Sequence, residues 1–89
     1  MDMYSKKLVI LADADDVFRD CLREALLDEP DFEVLAETGD GEEAVELCRK
    51  LSPDLLIMDL ILTQMDGLDV LDALTGSSRP AVLVLSAQV

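Results

Sequence analysis

Apolar and polar positions along this chain switch between two periods. Residues 8–12 read Leu-Val-Ile-Leu-Ala, an unbroken aliphatic run that predicts a strand covered on both faces. Val17, Phe18, Cys21, Leu22, Ala25 and Leu26 then recur at helical spacing, with Asp15 or Asp16 as the N-cap and Pro30 beyond the end. Residues 32–36 predict a second strand. Thr38-Gly39-Asp40-Gly41 reads as a turn into a second helix, whose inner face is Ala44, Val45, Leu47, Cys48 and Leu51. Ser52-Pro53 breaks that helix, and residues 55–58 form a third strand. Leu68, Val70, Leu71 and Leu74 predict a short third helix after the turn and helix-start signal Asp66-Gly67. A polar loop over 75–80 leads to a fourth strand over 81–85.

Strand and helix alternate with short connections, which implies right-handed crossovers and a parallel sheet with helices on both faces. Strands one and three both stop at acids, Asp13-Ala14-Asp15-Asp16 and Asp59. Open α/β sheets place their sites at the carboxyl edge, so one acidic pocket is expected there. The fourth strand, Val82-Leu83-Val84-Leu85, is apolar on both faces, and the sequence ends four residues later. An uncovered strand of this kind favours association, so a fragment of a longer protein that self-associates is expected.

At 89 residues the chain is one domain spanning 1–89, with an aliphatic core because only Tyr4, Phe18 and Phe32 are aromatic. A net charge of −13 argues against direct nucleic-acid binding, because phosphates would be repelled. No apolar run approaches a membrane span, and no signal-peptide core follows the N-terminus, so a cytoplasmic protein is expected. Cys21 and Cys48 sit at apolar helical positions and read as reduced core thiols. With no histidine, the commonest general base and zinc ligand is missing.

The acidic end of strand one, Asp40-Gly41-Glu42-Glu43-Ala44, Pro53-Asp54, Asp59, Met65-Asp66-Gly67-Leu68 and Leu85-Ser86-Ala87 follow one another in an order and spacing that resemble the receiver domain of bacterial two-component response regulators. Within that family, Gly41-Glu42-Glu43 and Leu83-Val84-Leu85-Ser86-Ala87 are most similar to sporulation-initiation transcription factors. The resemblance implies a flavodoxin-like sheet of order 2-1-3-4 and an incomplete receiver domain, with helix four, strand five and helix five beyond Val89. It implies that Asp59 accepts a phosphoryl group from a sensor histidine kinase or phosphotransfer protein. Mg²⁺ would be held by Asp13, Asp59 and the backbone carbonyl of Ile61, with Ser86 as the switch hydroxyl. A downstream effector, DNA-binding by family analogy, would read the state, and the chain would not itself be an enzyme.

The sequence departs from the family pattern in three places. Ala14 stands where a second acid usually contacts the metal, and Asp15, two residues beyond Asp13, is the candidate to compensate. Thr63 stands where proline is usual, which predicts a looser loop. The usual lysine at the end of strand five lies past the terminus. Ala14 keeps a second reading open, a pseudo-receiver used only as an interaction module. Val9-Ile10-Leu11-Ala12-Asp13-Ala14-Asp15-Asp16-Val17, four apolar residues and then Asp-x-Asp-x-Val, also resembles a haloacid-dehalogenase-like phosphatase start, with Asp13 as nucleophile and Asp15 as acid/base. That reading lacks the later lysine and acidic pair such enzymes need, and leaves Asp59 unexplained.

Overall fold

The aliphatic runs pair side by side in a computed structural model that describes residues 5–76 and 79–85. Four parallel strands, β1 (Lys7–Ala12), β2 (Phe32–Thr38), β3 (Leu55–Met58) and β4 (Ala81–Val84), lie in the order β2-β1-β3-β4. Helices α1 (Asp16–Leu27), α2 (Gly41–Leu51) and α3 (Gly67–Ala73) connect them. The expected doubly covered, 2-1-3-4 parallel sheet is therefore present.

Alternation along each strand sorts the core into two layers. Ile10, Ala12, Leu56 and Met58 meet Ala44, Val45 and Cys48 of α2, Val70 of α3 and Leu74. On the other face Val9, Leu11 and Ile57 meet Leu22 and Leu26 of α1. Ile10, Leu11, Leu56 and Met58 are among the largest fully buried side chains, and each such burial contributes about 1.5–3 kcal/mol.

The acids that crowd the sequence have structural duties. Each helix starts on an aspartate whose carboxylate accepts from the first-turn amides: Asp15 from Val17 and Phe18, Asp40 from Glu42 and Glu43, and Asp66 from Asp69. Asp54 Oδ2 accepts from the Leu8 amide at 2.8 Å. Helix α2 stops at Ser52, whose φ of 48° is left-handed.

The structure corrects several details. Cys21 is exposed, not a core thiol, and α1 buries none of its residues. Among the described residues a single helix covers that face, so only its central stripe meets the sheet, while Val17 is 73% exposed. Leu68 at 63% and Leu51 also lie outside the packed stripe. Cys48 is buried as expected, and burial pushes its thiol up to about 11.

Strand β2 runs to Thr38 rather than stopping at Ala36. Its register with β1 shifts once: Val34 pairs with Val9, but Ala36 pairs with Ile10. Leu35 is thus an extra residue, a β-bulge. Both Leu35 and Ala36 pack toward the α2 layer. The shift reverses the facing of the rest of the strand, so Glu37, opposite Leu11, points toward α1.

Candidate functional site

The strand ladders continue one residue beyond β1 and β3. The Asp13 amide donates to the Thr38 carbonyl at 2.9 Å, and the Asp59 amide donates to the Ala12 carbonyl at 2.9 Å. These bonds hold the two acids at neighbouring strand ends on the carboxyl edge of the sheet. Asp13 is buried, 4% exposed, and Asp59 is half-buried. Desolvation raises the Asp13 pKa above its ordinary range, and the like charges of Asp59 and Asp15 add to the rise. The Asp15 amide and, more weakly, the Arg19 guanidinium oppose it. Asp13 Oδ1 accepts from the Asp15 amide at 2.8 Å, and Asp59 Oδ1 accepts from the Ile61 amide at 3.3 Å.

The other expected residues divide. Asp15 Oδ1 is engaged by the first turn of α1, at 3.0 Å from the Val17 nitrogen and 3.2 Å from that of Phe18. Its role in the structure is that of a cap, which also deprives the phosphatase reading of its acid/base. Ala14 is exposed and brings no ligand. Ile61 follows Asp59 in the same loop with its side chain exposed. Ser86 lies outside the described residues; the last bond toward it runs from the Leu85 amide to the Met58 carbonyl at 2.9 Å.

Among the described residues no group of three or more His, Cys, Asp or Glu side chains gathers as a metal site. The donor set is one buried and one half-buried carboxylate whose charges repel. Mg²⁺ fits such a pair, because it keeps several waters and needs only one or two carboxylates from protein.

The loop after Asp59 is tied to the start of α2. The Thr63 amide and hydroxyl both donate to the Gly39 carbonyl at 3.1 Å, and the Gly41 amide donates to the Thr63 carbonyl at 2.9 Å. The expected loosening at Thr63 is therefore corrected: a proline there would have no N–H for the first of these bonds. Sequence reading also missed Arg19, which donates to the Asp13 carbonyl through Nη1 at 2.5 Å. The only hint in the sequence was its i,i+3 spacing from Asp16.

Known proteins are similar along nearly the whole chain. The chain is 37% identical over 86 residues, 97% of its length, to a protein-glutamate methylesterase/protein-glutamine glutaminase of Paramagnetospirillum magneticum, covering 24% of that protein. It is 36% identical over 83 residues, 92% of its length, to the transcriptional regulatory protein DegU of Brevibacillus brevis, covering 35% of it. It thus spans about a quarter to a third of these relatives' length. One chain of a solved complex of the P1 domain of CheA3 with CheY6 from R. sphaeroides superposes with a TM-score of 0.80 at 26% identity, over 94% of this chain and 66% of that one. The family model of the response regulator receiver domain matches residues 9–89. With its two acids delivered to one edge of a β2-β1-β3-β4 sheet, the chain belongs to the response regulator receiver domain family.

Proposed function

We propose that this receiver domain accepts a phosphoryl group on Asp59 and passes its state to an effector elsewhere in the protein. The observation that carries the reading is the pairing of half-buried Asp59 with buried Asp13 at adjacent strand ends. A carboxylate oxygen of Asp59 forms the new bond to phosphorus. The P–N bond of a phosphohistidine donor breaks, and its electron pair stays on the imidazole, which takes up a proton. Asp13, Asp59 and the Ile61 carbonyl would hold Mg²⁺, which supplies charge neutralisation and alignment when bound. Asp13 adds a second acidic group beside Asp59, and Ser86 would donate its hydroxyl to a phosphoryl oxygen.

A sensor kinase or phosphotransfer protein is the proposed donor, as the pairing of CheY6 with the P1 domain of CheA3 suggests by likeness. A DNA-binding effector is favoured by the likeness to a transcriptional regulatory protein, and a methylesterase effector by the other relative. No described helix is long and apolar enough to cross a membrane, and we place the domain in the cytoplasm. Peptide mapping after treatment with acetyl phosphate and Mg²⁺ tests the reading. A single acid-stable, base-labile adduct at Asp59 is expected in a version extended to the full receiver domain, and its absence there would sink the reading.

Ala14 favours one second reading, the pseudo-receiver, because the family's second acid is missing. Under the phosphoacceptor reading, Ala14→Asp adds a ligand charge and is expected to tighten Mg²⁺ binding on the order of tenfold in a metal titration. No change would count against the pocket as drawn.

We also propose that the 89-residue chain self-associates through β4. Leu83 and Val84, on opposite faces of that strand, are 47% and 39% exposed. Sedimentation at micromolar concentration is expected to give dimers or larger species, and a single monomeric boundary would refute the idea.

A further inference from the structure

Arg19 has three different nitrogens, each with its own acceptor. Nη1 donates to the Asp13 carbonyl, Nε to Glu37 Oε1 at 3.0 Å and Nη2 to Asp16 Oδ1 at 2.7 Å. Its side chain is only 16% exposed, so these bonds are partly shielded from water. Glu37 is held in turn by Arg23 Nη1 at 2.8 Å through its other oxygen. Glu37 reaches this position because the bulge at Leu35 turns it toward α1. Asp13 is consequently fixed on both sides of its backbone, the N–H by Thr38 and the C=O by Arg19. Packing around this point is close: a Cβ on Gly39 would lie 3.2 Å from the Ala14 Cα and 3.4 Å from Arg19 Nη1.

Many metal pockets orient their ligands through hydrogen-bonded partners behind them. Here Asp13 works without an acidic neighbour at position 14, so its placement rests on its own loop. We propose that Arg19 is the positioning residue of the pocket, fixing the β1–α1 loop so that Asp13 can take a divalent cation. The inference rests on the Mg²⁺ reading above. A lysine cannot replace this arrangement, because one ammonium nitrogen cannot span three acceptors lying in different directions.

The test is a Mg²⁺ titration of the protein followed by backbone amide shifts, run on the unmodified chain and on Arg19→Gln, Arg19→Lys and Arg23→Gln. Arg23 shares Glu37 but has no bond to Asp13, so it reports general loosening of the network. Arg19→Gln is expected to weaken Mg²⁺ binding about tenfold or more, with Arg19→Lys giving little rescue and Arg23→Gln a clearly smaller loss. Hydrogen exchange at the Asp15 amide, read without metal, is expected to speed up in both Arg19 variants. This second readout serves even where the glutamine variant folds poorly. Unchanged affinity in Arg19→Lys with unchanged exchange overturns the proposal, and so does an equal loss in Arg19→Gln and Arg23→Gln. If the unmodified protein does not titrate with Mg²⁺ at all, the metal reading itself fails, an outcome distinct from either.

Discussion

Gly41→Ala is expected to destabilise the domain by about 3 kcal/mol or more, at or above the top of the usual overpacking range. A Cβ at position 41 would sit 1.9 Å from the Met65 carbonyl oxygen and 2.8 Å from the Met65 carbonyl carbon. Both obstacles are backbone, so no rotamer change relieves the clash. Retreat is also blocked, because the Gly41 amide is bonded to the Thr63 carbonyl and Asp40 caps the same helix. Either α2 shifts or the loop after Asp59 does. Urea denaturation gives the direct measurement. A loss under about 1 kcal/mol would mean that the two segments are not pressed together as described.

Asp59→Asn is expected to remove the acetyl-phosphate adduct completely while leaving the fold as stable or slightly more so. An amide has nearly the shape of the carboxylate but is no nucleophile. The stability change has its own sign. Asp59 raises the Asp13 pKa through like-charge repulsion, so removing its charge relieves the pair near neutral pH. Asp59 is half-buried and partly screened, so the gain should stay below about 1 kcal/mol. Mass spectrometry reads the first effect and thermal melting the second. An adduct that persists at another residue would refute Asp59 as the acceptor. Output from the proposed effector that ignores the substitution would favour the pseudo-receiver.

Much of this architecture was legible because its two central strands, β1 and β3, are covered on both faces. Such strands read as unbroken aliphatic runs, and leave little doubt about a parallel sheet or its carboxyl edge. Asp13 and Asp59 were visible as the acids that end those runs. Periodicity was less informative for α1: it marks Cys21 and Val17 as apolar positions but cannot say how wide a stripe the sheet covers. Thr63 misled for a related reason. Its difference from proline suggests freedom, whereas its extra N–H makes a bond that only the three-dimensional approach of Gly39 reveals. Arg19 was hidden because its partners, Glu37 and the Asp13 carbonyl, are brought together by folding and by a shift in strand register.

That shift bears on length as well as facing. In most strands the loss of one residue sends everything after it to the wrong side. Strand β2 carries one residue more than its neighbour needs, so a chain lacking Leu35 would pair Val34, Ala36 and Glu37 with Val9, Ile10 and Leu11 in unbroken succession. Glu37 would still meet α1. What disappears is one apolar side chain on the α2 layer, not the arrangement behind Asp13. Loss of the Leu35 codon is therefore expected to preserve the strand's register and facing.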